Sequence, residues 1–123
     1  MRKHLLVIID DEEDLLDLFE YNFKKQGFEV AIFDRAKPAL DFVSKNRPDM
    51  ILCDWMMPGM TGLELCQSVK NNLQLADVPF VMVTCRNEPG AKQAAISAGA
   101  TEFIPKPIPI QKLLEKVNRI LVR

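Results

Sequence analysis

The chain has 123 residues, 48% of them hydrophobic and 27% charged, the composition of one soluble globular domain large enough for a real core. Sixteen Lys and Arg against 17 Asp and Glu leave a formal net charge of -1, so charge gives no argument for nucleic-acid or membrane binding by this domain. No apolar run approaches the roughly 20 residues that span a bilayer, and the opening apolar segment is too short for a signal peptide and meets Asp10. These features point to a cytoplasmic protein. Cys53, Cys66 and Cys85 are odd in number, match no zinc spacing and read as small buried hydrophobes in a reducing compartment.

Leu5 to Ile9 is a branched apolar run too short for a helix, hence a first strand, ending in Asp10-Asp11-Glu12. A helix follows with Leu15, Phe19, Asn22, Phe23 and Gln26 on one face and Gly27 as its stop. Phe28 to Phe33 reads as the second strand. Ala36, Ala39, Leu40 and Val43 have the spacing of a second amphipathic helix, broken at Pro48-Asp49. The third strand, Met50 to Cys53, runs into Asp54, and Met57-Pro58-Gly59 marks a turn. The third helix carries Leu65, Val69 and Leu73. Pro79 to Thr84 is a fourth strand with its proline at the first position, where it does least harm. After the polar loop Arg86 to Gly90, a fourth helix shows Ala91, Ala94, Ala95 and Ala98 and stops at Gly99. A helix that buries only alanines is expected to be the least firmly anchored. Thr101 to Ile104 is a short fifth strand, Pro105, Pro107 and Pro109 alternate after it, and Ile110, Leu113, Leu114, Val117, Ile120 and Leu121 form the fifth helix.

Apolar strands alternating with amphipathic helices imply a parallel sheet covered on both faces. Right-handed crossovers make this a doubly wound α/β domain over residues 1–123, with strand order 2-1-3-4-5, the flavodoxin-like order. In that order Asp10, Asp11, Asp54, Thr84 and Lys106 all reach the carboxyl edge of the sheet. Crowded carboxylates repel one another unless a cation intervenes. Hard oxygen ligands without His or Cys suit Mg²⁺. Lys106 and the metal would neutralise phosphate oxygens, Thr84 would donate a hydrogen bond, and Asp54 would act as nucleophile, giving an aspartyl-phosphate. Singly, each residue has a plainer reading. The acidic run could favour a helix N-terminus, Thr84 could be an ordinary strand residue, and Lys106 a solvated loop lysine.

Taken together, Asp10-Asp11 after the first strand, Asp54 with Met57-Pro58-Gly59 after the third, Thr84 after the fourth and Lys106-Pro107 after the fifth resemble the receiver domains of two-component response regulators. The resemblance covers the whole chain. It implies that Asp54 accepts a phosphoryl group from a histidine kinase or phosphotransfer protein. It implies direct Mg²⁺ ligation by Asp11, Asp54 and the Met56 backbone carbonyl, with Asp10 acting through a water. Lys106 would contact the phosphoryl group, with a cis peptide before Pro107, and would serve the switch more than the fold. Thr84 would shift toward the phosphate and Phe103 would change rotamer with it, by packing alone because Phe103 lacks a hydroxyl. The remodelled surface would be that of the fourth helix, fifth strand and fifth helix, open to a downstream protein, an output domain or a second copy in a homodimer. Such a domain is a switch and not an enzyme, with only slow Mg²⁺-dependent self-phosphorylation and self-dephosphorylation. Trp55 is expected beside the site and partly exposed, His4 at the opposite end of the sheet, and Cys85 at a position where the family usually has a smaller residue.

Other classes fit less well. A flavin module needs a hydroxyl- and amide-rich loop where Asp10-Asp11-Glu12 would repel phosphate. An aspartate-nucleophile phosphohydrolase usually has a second acid two residues after the nucleophile, where this chain has Met56, which transfers no proton. A phosphorylation-independent interaction domain of the same fold commonly has lost a site residue; here none is missing.

Overall fold

Each apolar run of four or five residues forms a strand, and each 3.6-period stretch between them a helix. The computed structural model describes residues 2–122; Met1 and Arg123, which the one-domain reading includes, lie outside the described residues. The elements are β1 (Leu5–Ile9), α1 (Glu13–Lys25), β2 (Glu29–Phe33), α2 (Ala36–Lys45), β3 (Met50–Cys53), α3 (Gly62–Asn71), β4 (Phe80–Thr84), α4 (Ala91–Ser97), β5 (Glu102–Pro105) and α5 (Ile110–Leu121). The strands pair in parallel in the order β2-β1-β3-β4-β5, as expected.

The period-2 alternation of the strands divides the core in two. Val7, Ile9, Ile51, Cys53, Phe80 and Met82 face α2, α3 and α4, whose buried residues are Ala36, Ala39, Val43, Leu65, Cys66, Val69, Ala91 and Ala95. Leu6, Ile8, Met50, Leu52, Val81 and Val83 face Leu16, Phe19 and Phe23 of α1 and Leu113, Leu114, Val117 and Ile120 of α5. Burying each large side chain is worth about 1.5–3 kcal/mol, so the sheet is fixed from both faces.

Three details differ from the expected patterning. The core face of α1 is centred on Leu16, Phe19 and Phe23; Asn22 only half-enters and donates to the Leu18 carbonyl (2.8 Å), and Gln26 is exposed just past the helix end. Leu73 is not on α3, which ends at Asn71, and is 94% exposed. There the Asn72 side chain accepts from the Gln74 N–H (2.9 Å), a local turn that competes with another helical turn. Leu75 and Val78 supply the apolar cover from the following loop. On α4, Ala94 is exposed and Ala91 and Ala95 carry the buried face.

Pro105 lies within β5. Thr84 pairs with Pro105, and the Lys106 N–H donates inward to the Thr84 carbonyl (2.9 Å). The alternation of a parallel ladder therefore puts the Pro105 nitrogen on the open edge, where a missing N–H breaks no bond.

At the opposite end of the sheet, Asp49 pins the start of β1. Its carboxylate accepts from the Leu5 N–H (2.7 Å) and from both terminal nitrogens of Arg2 (2.8 and 2.9 Å). Arg2 is largely exposed, so most of the stabilisation comes from the Leu5 bond. Asp49→Ala should cost about 1–2 kcal/mol in urea melts at neutral pH. The Arg2 hydrogen bond, with the Leu5 N–H, holds the Asp49 carboxyl below its ordinary range. A group depressed in the folded state stabilises above its unfolded pKa. The difference between wild type and variant should therefore shrink as pH falls through about 3.9 and vanish below the folded value.

Candidate functional site

Asp54 immediately follows β3, and its N–H completes the ladder to the Ile9 carbonyl (2.9 Å), so its side chain stands at the carboxyl edge. One carboxylate oxygen accepts from the Trp55 N–H (2.7 Å) and the other from Lys106 Nζ (3.2 Å). Asp10 follows β1; its Oδ1 accepts from the Glu12 N–H (2.9 Å) and its Oδ2 from Lys106 Nζ (2.6 Å). Lys106 also reaches Glu12 Oε1 (3.4 Å). Asp10, Asp54 and Thr84 are the buried polar or charged residues among those described. Every buried side-chain polar atom there has a hydrogen-bond partner.

The Lys106 side chain is itself only 7% exposed, so an ammonium sits in low dielectric between two buried carboxylates. Burial works to lower its pKa, but the hydrogen bond to Asp10 and the charges of Asp10 and Asp54 outweigh that and raise it. Burial also pushes the Asp10 carboxyl above its ordinary range, although Lys106 and the Glu12 N–H pull it down. Lys106 and Thr84 are joined through the main chain by the bond from the Lys106 N–H to the Thr84 carbonyl (2.9 Å). The Thr84 hydroxyl accepts from the Arg86 N–H (3.2 Å). The peptide between Lys106 and Pro107 is cis.

The structure thus brings Asp10, Asp54, Thr84 and Lys106 together. Carboxylate oxygens of Asp10, Glu12 and Asp54 lie within 4.8 Å of one another, a group able to hold a metal ion. Glu12, which closes the Asp10-Asp11-Glu12 run, joins the group beyond the expected residues, whereas Asp11, an expected direct ligand, is exposed and outside it. An all-carboxylate donor set fits a hard divalent ion such as Mg²⁺. Phe103 is half-buried on β5 opposite Met82 and packs on the core beneath α4. Met56 is exposed on the turn after Asp54. His4 precedes β1, at the far end of the sheet.

Two expectations are corrected. Trp55 is 5% exposed, because its indole turns into the core under α2, α3 and α4 instead of lying on the surface. Cys85 is exposed: β4 ends at Thr84, and the cysteine lines an open groove of about 240 Å³ with Leu15, Phe19, Lys106, Pro107 and Ile108.

The fold and this edge cluster together define an α/β domain built around two buried aspartates and the lysine that bridges them. The family model for the response regulator receiver domain matches residues 6–118, and the chain belongs to that family. The phosphate regulon transcriptional regulatory protein PhoB of Rhizobium meliloti is 31% identical over 118 residues, which cover 96% of this chain and 52% of PhoB. The chain spans about half the length of that relative. The chemotaxis response regulator CheY4 of Vibrio cholerae matches with a TM-score of 0.91 and 28% identity, over 97% of this chain and 99% of that one. The signal receiver domain of a signal transduction histidine kinase from Syntrophus aciditrophicus matches with a TM-score of 0.90 and 27% identity, over 97% of this chain and 90% of that one. Receiver domains are signalling switches of two-component systems, not classical enzymes, and bind Mg²⁺ at an acidic pocket. No described helix is long and apolar enough to cross a membrane.

Proposed function

We propose that this domain is a cytoplasmic phosphorylation-dependent switch whose phosphoacceptor is Asp54. The observation that carries the reading is the Lys106 ammonium bridging buried Asp10 and Asp54 at 2.6 and 3.2 Å. An Asp54 oxygen attacks the phosphorus of a phosphohistidine on a histidine kinase or phosphotransfer protein. The phosphorus–nitrogen bond breaks, its electron pair leaves with the imidazole, and the Asp54 acyl-phosphate forms. Lys106 then turns from the carboxylates to the phosphoryl oxygens. Thr84 donates its hydroxyl to another of them. Asp11, Asp54 and the Met56 carbonyl would hold Mg²⁺, with Asp10 through a water; when bound, the ion supplies positive charge against the carboxylates and the incoming phosphoryl group. Movement of Thr84 and Phe103 passes to the surface of α4, β5 and α5, read by an output domain, a downstream protein or a second copy of the chain. Exposure to a small-molecule phosphodonor with Mg²⁺, followed by intact mass, tests the reading: wild type gains a phosphoryl group and Asp54→Asn does not. Equal labelling of the two would sink it.

The lifetime of the acyl-phosphate follows from the residues over the site. Met56 offers only a weak acceptor to an attacking water, and Arg86 offers none. The Arg86 Nη1 lies 3.5 Å from the Met56 sulfur, so the two side chains meet. Neither can orient and deprotonate water, and the phosphorylated form should be long-lived. Met56→Asn should shorten the half-life on the order of tenfold, timed as phosphoryl loss from the purified protein. Equal decay of wild type and variant would refute the water-positioning argument.

A further inference from the structure

Trp55 and Arg86 each hold a functional side chain through the main chain and hold each other through their side chains. The Trp55 N–H donates to Asp54 Oδ1 (2.7 Å), and the Arg86 N–H donates to Thr84 Oγ1 (3.2 Å). The Arg86 guanidinium carbon lies 4.6 Å from the centroid of the Trp55 ring. Trp55 is buried and fixed by the core, so it is an anchor and not a floating surface aromatic. Arg86 is further held by the Met56 sulfur (3.5 Å) and, through Nε, by the Glu88 carboxylate. Its guanidinium thus spans the loop after β3 and the loop after β4, the two loops that bear on Asp54 and Thr84.

We propose that Arg86 is a positioning residue: stacked on Trp55, it holds the Thr84 hydroxyl against the β4–α4 loop and biases the site toward its unphosphorylated arrangement. The proposal rests on the switch reading above and adds a residue that sets the equilibrium. For Thr84 to move toward a phosphoryl oxygen, its bond from the Arg86 N–H must lengthen or the loop carrying Arg86 must follow. The second course pulls the guanidinium off the indole face and away from Met56 and Glu88. A cation over an indole at a half-exposed site biases such an equilibrium by about two- to fivefold.

The test uses beryllofluoride with Mg²⁺ as the phosphoryl mimic, with binding followed by fluorine NMR so that the readout is independent of Trp55. Arg86→Met should bind the mimic about two- to fivefold more tightly than wild type. Trp55 is the single tryptophan, so its emission reports the stack: it should change on binding in wild type and change far less in Arg86→Met. Arg86→Lys keeps the charge but cannot hold the planar stack, Met56 and Glu88 together, and it too should bind more tightly than wild type. If Arg86 instead only attracts the anion, Arg86→Met binds more weakly and Arg86→Lys binds like wild type, and the proposal is overturned. Unchanged affinity in both variants also overturns it while leaving the switch reading intact. A folded wild type that binds no mimic overturns the switch reading itself.

Discussion

Gly62→Ala is expected to lower stability by about 3 kcal/mol or more, a large effect for one added methyl group. Gly62 opens α3, and its N–H donates to the Trp55 carbonyl (2.9 Å). A Cβ there would lie 2.1 Å from the Asp54 carbonyl oxygen and 2.9 Å from both the Asp54 carbonyl carbon and the Trp55 Cα. All three are backbone atoms, so no side chain can swing away to make room. The first turn of α3 must back off or the loop after β3 must move. Moving that loop shifts Asp54 and the Trp55 N–H that holds it. The variant should therefore lose both stability in urea melts and phosphoryl labelling of whatever fraction remains folded. A melt within about 0.5 kcal/mol of wild type would show that the helix start yields more easily than its geometry allows.

Lys106→Met should cost about 3 kcal/mol in the absence of Mg²⁺. The reason is not the worth of the ion pairs themselves. Removing the ammonium leaves Asp10 and Asp54 buried, close together and uncompensated, and that penalty is larger than the net gain from pairing them. The sequence alone suggests a lysine that serves the phosphoryl group more than the fold; its burial between two carboxylates gives it both tasks. Two outcomes distinguish this from loss of packing. Millimolar Mg²⁺ should recover part of the stability of Lys106→Met while raising wild type less, because in wild type Lys106 competes for the same carboxylates. Adding Asp10→Asn to Lys106→Met should also recover stability, because it removes one of the two stranded charges. Thermal melts of the three proteins, with and without Mg²⁺, decide the matter. A variant as stable as wild type without metal would mean that the carboxylates are solvated enough to tolerate each other.

Much of this architecture is legible in the residue order because strand and helix periods are local signals. Runs such as Leu5–Ile9 and Phe80–Thr84 are too short and too apolar to be anything but buried strands, and their order brings Asp10, Asp54 and Thr84 to one edge. The features that the residue order does not show depend on contacts distant in sequence or on local turn chemistry. Leu73 keeps the helical spacing of Leu65 and Val69, but Asn72 turns the chain before it. Trp55 looks like a surface aromatic beside a loop, and only the packing of the helices beneath it draws the indole inward. Glu12 is a third acid in a row, and nothing in the spacing distinguishes an acid that serves the helix dipole from one within reach of Lys106, 94 residues away. The stack of Arg86 on Trp55 spans two loops and leaves no pattern in the sequence at all.

Reductive trapping tests the central claim most directly. Borohydride reduces an aspartyl-phosphate to homoserine, which marks the acceptor permanently for peptide mapping. After treatment with a small-molecule phosphodonor and Mg²⁺, homoserine should be found at position 54 alone, and chelation of the metal beforehand should prevent it. Homoserine at Asp10, Asp11 or any other acid, or labelled protein that yields none at 54, would contradict the account.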